Sequence, residues 1–265
     1  MSKESDLRDL VKCYLESPQP SFKVTNYFPV YVDLFGHLRG TECTFIETGV
    51  LNGGSLYMWR AWLGDRARII GIDLNPAAEK WRDHGFEIYI GDQGTPEFWR
   101  ETFSKVGKFD VLLDDGGHQS FQQIVTLTEA MRAAKTQCII AIEDTCTSFF
   151  REFSGHHEYS FLQYAKDSTD AIVANTSHFY DGEFPKVVNQ KIVEQFARVY
   201  SVQFFSGIVA YTLSPAEMER PQPIWNRLPK EAAASDFRYN GVSSAKIEWP
   251  NLFTEHTIIL RGGPK

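Results

Sequence analysis

The sequence predicts an α/β protein with a Rossmann-like, seven-stranded, mostly parallel sheet, helices on both faces, an antiparallel closing hairpin and irregular cap segments. From Thr44 onward, apolar runs typical of strands alternate with amphipathic helical patterns, which implies right-handed crossovers between parallel strands. Two of these runs, ending at Asp114-Asp115 and at Glu143-Asp144, are apolar enough to be buried on both faces. Ligands of such sheets bind beyond the carboxyl ends of the strands, where we therefore expect the functional site.

The elements are predicted in a simple order along the chain. Residues 1–40 should form helices over 6–16 and 30–38, with an aromatic lid loop between them. Residues 41–214 should form the core, with an insertion on the acceptor side at about 147–185, and residues 215–265 a C-terminal extension. Strands are expected at 44–46, 68–72, 86–90, 109–113 and 138–142, and the closing hairpin at 199–205 and 208–213, split by Ser206-Gly207.

Composition narrows the class of protein. The 265 residues carry a formal net charge of −7 with no basic stripe, which argues against a nucleic-acid partner. No apolar run approaches the roughly 18 residues of a membrane span, and the polar first residues do not form a signal peptide. The four cysteines lack CxxC spacing and are expected to be reduced. A cytoplasmic protein is therefore predicted.

A glycine loop follows the first predicted strand and precedes a helix, in the pattern Glu47-x-Gly49-x-x-x-Gly53-Gly54-Ser55. Glycines let the backbone approach a ligand closely, and the helix N-terminus favours negative charge. The spacing differs from that of a dinucleotide loop, and Glu47 would repel a pyrophosphate. An acid at this position better suits a cationic amine, such as that of the methionine part of S-adenosylmethionine (SAM).

Further acids end the next strands. Asp73 lies roughly 20 residues after the loop, where an acid accepts hydrogen bonds from ribose hydroxyls. Asp92 ends the third strand, where it can accept from an adenine amino group. The alternative, that the glycines only form a tight turn and that Asp73 only caps a helix, stays open at this point.

Four motifs together carry a resemblance to a family: Glu47 to Ser55, Gly91-Asp92-Gln93, Asp114-Asp115-Gly-Gly-His118 and Ile142-Glu143-Asp144. They resemble the class I SAM-dependent methyltransferases. Within these, the sequence is most similar to the metal-dependent sugar O-methyltransferases of macrolide biosynthesis, of the mycinamicin and tylosin type, and to the related group called cephalosporin hydroxylases. The resemblance covers roughly residues 22–213, whereas the segments after Thr145 and after Leu213 do not match clearly.

The resemblance implies a set of site residues. Asp115, Glu143 and Asp144 are expected to bind Mg²⁺, with Asp115 and His118 catalytic and His118 as the general base. The residues expected to bind SAM are Glu47, Gly49, Ser55, Asp73, Asp92, Gln93, Asp114 and Tyr27. The lid motif of the family, Lys-x-x-x-His-x-Tyr, is only partly matched by Lys23, Asn26, Tyr27 and Tyr31.

The chemistry of these residues agrees with the implied function. Carboxylates with open positions suit Mg²⁺, which can lower the pKa of a hydroxyl, and an imidazole titrates near working pH. We therefore predict a SAM-dependent, Mg²⁺-assisted O-methyltransferase acting on a hydroxyl of a sugar, glycoside or polysaccharide. The alternatives are a catechol-type O-methyltransferase, a dinucleotide- or 2-oxoglutarate-dependent oxidoreductase, and a catalytically silent SAM-binding protein. The sequence leaves open which acceptor is methylated and whether the chain forms a homo-oligomer. It also leaves open the roles of residues 215–265 and of His156 and His157.

Overall fold

The computed structural model describes residues 2–154, 159–174 and 194–214, together with two short strands, Ile224–Trp225 and Ile259–Leu260. His156 and His157, and most of the predicted C-terminal extension 215–265, lie outside these residues. Within the described residues, no helix combines the length and hydrophobicity needed to cross a bilayer.

Seven strands form one mixed sheet in the spatial order β3-β2-β1-β4-β5-β7-β6. Strands β1 to β5 pair in parallel, whereas β7 runs antiparallel to both β5 and β6. The strands are β1 Cys43–Thr48, β2 Ala67–Asp73, β3 Glu87–Ile90, β4 Val111–Asp114, β5 Ile139–Ile142, β6 Val199–Phe204 and β7 Val209–Leu213. The predicted Rossmann-like sheet with its closing hairpin is confirmed. The short strands β8 Ile224–Trp225 and β9 Ile259–Leu260 form a separate antiparallel pair.

Helices cover both faces of the sheet. They are α1 Lys3–Leu15, α2 Tyr27–Phe35, α3 Gly54–Leu63, α4 Pro96–Val106, α5 Ser120–Ala133, α6 Arg151–Ser154 and α7 Phe161–Ala174, with 3₁₀ turns at Gly36–Leu38, Pro76–His84 and Thr145–Phe149. Helix α2 begins three residues before the predicted start. Its Pro29 lies in the first turn, where a backbone N–H has no intrahelical partner, so the helix can begin at Tyr27.

Two apolar cores result from the alternation of side chains along the strands. Phe45 of β1 contributes to the core beneath α1, α2 and α3, whereas its neighbour Ile46 contributes to the core beneath α4, α5 and α7. Helices α1 and α2 pack on the first core, so the N-terminal segment is continuous with the sheet domain in the described structure. The predicted boundaries at 40/41 and 214/215 stay predictions.

Candidate active site

A cleft of about 690 Å³ opens at the carboxyl ends of the parallel strands, where ligands of this class of sheet bind. It brings seven of the predicted residues together: Gly49, Asp73, Asp92, Gln93, Asp115, His118 and Asp144. The other predicted residues, Glu47, Ser55, Asp114, Glu143 and Tyr27, are buried next to the cleft and do not line it.

The glycine loop lies directly against the end of β4. Gly49 has φ +90°, and a Cβ at this position would lie 1.9 Å from the carbonyl oxygen of Asp115. Only glycine therefore permits this approach of the two strand ends. Leu51 has φ +49°, which is rare for a residue with a side chain and is typical of loops that hold a ligand.

Glu47 lies beneath the loop and is fully buried. Its Oε2 accepts a hydrogen bond of 2.6 Å from the hydroxyl of Ser55. Burial raises the pKa of Glu47, because the charged carboxylate loses its hydration there. Glu47 and Ser55 thus fix the first turn of α3 to the end of β1.

Asp73 and Asp92 take their hydrogen bonds from nearby backbone. The Oδ2 atom of Asp73 accepts from the N–H groups of Val50 and Leu51 at 2.9 and 3.1 Å, which ties the glycine loop to β2. Asp92 is exposed, and its Oδ1 accepts from the N–H of Gly94 at 2.7 Å. Both carboxylates line the cleft and retain free acceptor capacity.

Gln93 and Asp114 form one unit below the cleft. The side-chain amide of Gln93 donates to both oxygens of Asp114 at 2.9 and 3.1 Å, and its Oε1 accepts from the N–H of Gly117 at 2.8 Å. Asp114 is buried, which raises its pKa. Its carboxylate therefore supports Gln93 from beneath the cleft, and the expected contact of Asp114 with SAM stays a prediction.

Asp115, His118 and Asp144 converge, since one ligand atom from each lies within 4.8 Å of the others. His118 Nε2 is 3.9 Å from Asp115 Oδ1 and 3.6 Å from Asp144 Oδ2. His118 and Asp144 have φ values of +56° and +51°, strained for residues with side chains. The hydroxyl of Thr147 contacts both of their carbonyl oxygens, at 3.1 and 2.8 Å. This side chain helps to hold two strained residues at one point.

Glu143 is not a member of this group, although Lys23 contacts both Glu143 and Asp115. Its carboxylate accepts from the hydroxyl of Tyr31 at 2.5 Å and from the ammonium of Lys23 at 3.3 Å. Burial raises the pKa of Glu143 to about 8, although Lys23 opposes the shift. Lys23 Nζ also lies 2.6 Å from Asp115 Oδ2 and 3.3 Å from Glu47 Oε1. Burial opposes the charge on Lys23, but the surrounding acids outweigh it and raise the pKa of the lysine. The metal role of Glu143 stays a prediction.

Tyr27 contacts Asp144 and does not line the cleft. Its hydroxyl donates to Asp144 Oδ1 at 2.6 Å, and its ring lies so close to Gly207 that a Cβ there would meet the hydroxyl at 2.4 Å. The amide of Asn26 donates to the carbonyl of Ser206 at 2.8 Å. Residues Lys23 to Tyr31, called the lid segment below, are thereby attached to the turn of the closing hairpin. The expected contact of Tyr27 with SAM stays a prediction.

Sequence reasoning missed the contacts of Lys23 and Tyr31. The resemblance implied Mg²⁺ as the positive charge next to these acids and no contact of either side chain with them. The signal lay in Tyr27 and Tyr31, which are four residues apart on α2 and therefore lie on one side of it, and in Lys23 shortly before this helix. Each of the three contacts at least one acid at the strand ends.

No family model matches the sequence. It is similar to the 8-demethyl-8-alpha-L-rhamnosyl tetracenomycin-C 2'-O-methyltransferase of Streptomyces olivaceus, with 24% identity over 160 residues, 58% of this chain and 42% of that protein. It is also similar to the mycinamicin VI 2''-O-methyltransferase of Micromonospora griseorubida, with 28% identity over 166 residues, 58% of this chain and 39% of that protein. The chain thus spans about two fifths of the length of these curated relatives.

Solved structures of the MycE methyltransferase from the mycinamycin biosynthetic pathway share the fold. The complex with Mg, SAH and mycinamycin VI superimposes with a TM-score of 0.66 and 21% identity, covering 86% of this chain and 58% of that chain. A second complex, with Mg and SAH, gives a TM-score of 0.64 at 21% identity, covering 83% of this chain and 57% of that chain. The chain therefore has the Rossmann-like fold of the class I SAM-dependent methyltransferases, and its sequence is similar to sugar O-methyltransferases.

Proposed function

We propose that this chain is a SAM-dependent, Mg²⁺-assisted O-methyltransferase that acts on a hydroxyl of a sugar, glycoside or polysaccharide. One observation carries the proposal: a single cleft joins Gly49, Asp73 and Asp92 to the group of Asp115, His118 and Asp144. A methyl donor and an activated hydroxyl can meet only if their sites share one space. The similarity to sugar O-methyltransferases supports the choice of acceptor class.

The residues on one side of the cleft fit SAM. Gly49 leaves room for a ligand against the backbone, and Asp73 and Asp92 present carboxylate oxygens to hydroxyl and amino groups. Glu47 and Ser55 shape the loop from below. When bound, SAM supplies a methyl group on a positively charged sulfur, which the nearby acids favour electrostatically.

The residues on the other side fit a divalent metal ion. Asp115 and Asp144 offer carboxylate oxygens within one group, and Glu143 lies close by, since Lys23 contacts both it and Asp115. Oxygen ligands of this kind suit Mg²⁺. We propose Asp115, Glu143 and Asp144 as its ligands. When bound, such an ion would act as a Lewis acid that lowers the pKa of an acceptor hydroxyl.

His118 is proposed to take the proton of the acceptor hydroxyl. Its Nε2 faces Asp115 and Asp144, and its Nδ1 is buried with no hydrogen-bond partner among the described residues. The exposed nitrogen is therefore the one that can exchange a proton with the cleft. Asp144 is held by Tyr27, so the carboxylate that faces His118 keeps a fixed orientation.

Calorimetric titration with SAM, NAD and 2-oxoglutarate tests the proposal against the oxidoreductase alternative. We expect binding of SAM only, and a protein that does not bind SAM contradicts the proposal. Methyl transfer to a panel of glycosides and catechols, measured before and after chelator treatment, then tests the metal and the acceptor class. Methyl transfer that continues after chelator treatment would show that the metal is not required. Methyl transfer to catechols alone would favour the catechol-type alternative.

The cellular setting is also a proposal. The described cysteines Cys13, Cys43, Cys138 and Cys146 are free thiols, which supports a reducing, cytoplasmic environment. The net charge of −7 supports a partner other than nucleic acid.

A further inference from the structure

The ammonium group of Lys23 lies among three carboxylates that come from three different strand ends. Its Nζ is 3.3 Å from Glu47 Oε1, 2.6 Å from Asp115 Oδ2 and 3.3 Å from Glu143 Oε2. The side chains of Lys23, Glu47 and Glu143 are at most 1% exposed, and that of Asp115 is 21% exposed. This buried cation therefore contacts Glu47, which was expected to bind SAM. It also contacts Asp115 and Glu143, which are proposed to bind the metal ion.

Carboxylates that share a buried site repel each other and lose hydration, so they need a positive charge nearby. Among the described residues, Lys23 is the cation that contacts Glu47 and Glu143. We propose that Lys23 is a positioning residue whose ammonium holds Glu47, Asp115 and Glu143 together, so that the acids keep their arrangement before a metal ion binds. The metal part of this inference rests on the proposed function, whereas the role of Lys23 in the metal-free protein does not.

The surrounding contacts favour a fixed position for this lysine. Lys23 precedes α2, whose Tyr31 hydroxyl donates to Glu143 and whose Tyr27 hydroxyl donates to Asp144. The ammonium is also 5.7 Å from the centre of the Tyr31 ring. The lid segment is thus attached at three points to the acids, and the lysine cannot leave the cluster without breaking several contacts together.

Thermal unfolding of Lys23→Met in the presence of a chelator tests the proposal. Methionine keeps much of the length of the side chain and removes its charge, so three buried acids lose their cation. Losing one partner of a buried ion pair is strongly destabilising, so we expect a melting temperature on the order of 10 °C below that of the wild type. Lys23→Arg, which keeps the charge, should lie between the two.

Two further measurements distinguish the effect of the Lys23 charge on stability from the effect of its packing. Saturating Mg²⁺ should narrow the difference between Lys23→Met and the wild type, because the metal restores positive charge beside Asp115. Lys135→Met is the matched control: Lys135 forms an ion pair with Asp110, but its side chain is 42% exposed, so its loss should have a small effect that Mg²⁺ does not change.

If the single variant fails to fold, the double variant Lys23→Met/Glu143→Gln still tests the proposal. Removing one unpaired carboxylate should make the double variant more stable than Lys23→Met. The proposal is overturned if Lys23→Met melts like the wild type in the presence of the chelator, or if the double variant is no more stable than the single one. A difference that Mg²⁺ leaves unchanged contradicts the metal part alone, which rests on the proposed function. Failure of SAM binding, by contrast, would contradict the proposed function and leave the chelator result intact.

Discussion

The two sides of the cleft hold their acids by different means. On the cofactor side, Asp73 accepts from Val50, Leu51 and Asn75, and Asp92 accepts from Gly94. These partners are backbone N–H groups that lie between 2 and 23 residues away in the sequence. Asp92 also accepts from the side-chain amide of Gln122 at 3.5 Å. Asp73 and Asp92 are therefore held mainly by the backbone of neighbouring strand–loop units.

On the metal side, the partners are side chains from the distant lid segment. Lys23 reaches Asp115 across 92 residues and Glu143 across 120, and Tyr27 reaches Asp144 across 117. This side therefore depends on the packing of α2 against the sheet. The acids proposed for chemistry therefore need support from the whole fold, whereas Asp73 and Asp92 need little beyond their own loops. Glu47 is an intermediate case, because it contacts both Ser55 and the distant Lys23.

The largest effect is expected for His118→Ala. Loss of a general base lowers kcat by about 10²- to 10⁴-fold, while SAM affinity should stay unchanged because the cofactor side keeps its own contacts. Calorimetry and steady-state kinetics of the same preparation measure both quantities. His84→Ala, which removes an exposed histidine hydrogen-bonded to Tyr57, is the control and should retain activity. A His118→Ala enzyme with wild-type kcat would show that His118 is not the general base.

A smaller effect is expected for Gly49→Ala, at the point where the two sides touch. The new Cβ would meet the carbonyl oxygen of Asp115 and would also have to adopt φ +90°. Together these effects should lower the free energy of unfolding by roughly 2–5 kcal/mol and weaken both SAM and metal binding.

Gly107→Ala separates the two causes. Gly107 has φ +80° and nothing within 4 Å of its Cβ position, so this variant reports the backbone strain alone, at about 1–3 kcal/mol. Denaturant unfolding compares the two variants. Equal losses of stability would show that the contact between Gly49 and Asp115 does not constrain the cleft.

The smallest effect is expected for Asp73→Asn. The amide keeps one acceptor oxygen but loses the charge, so SAM affinity should fall by about tenfold, with metal affinity unchanged. Titrations with SAM and with Mg²⁺ measure the two affinities separately, and Asp65→Asn on the exposed surface provides the control. A matching loss of metal affinity would contradict the division of the cleft into two independently supported sides.

Much of the fold was predictable because its signals are local. Each parallel strand was expected close to its observed position, and the acids at the ends of β2, β4 and β5 indicated the edge of the sheet where the cleft lies. The wrong start of α2 has a local cause, since Pro29 was not recognised as a residue of the first turn. The left-handed conformations of His118 and Asp144 were not predictable, because neither residue type requires them.

The sequence alone determined the alternation of strands and helices, the glycine loop and the acids that follow the strands, because hydrophobic periodicity and turn chemistry act over a few residues. Which of the adjacent acids faces the cleft depends instead on long-range packing. Asp115 and Asp144 line it, whereas Asp114 is buried with Gln93, and Glu143 with Lys23 and Tyr31. This is because Lys23 lies 92 residues before Asp115 in the chain, and Tyr31 lies 112 residues before Glu143. They reach these acids only after α2 has packed on the sheet.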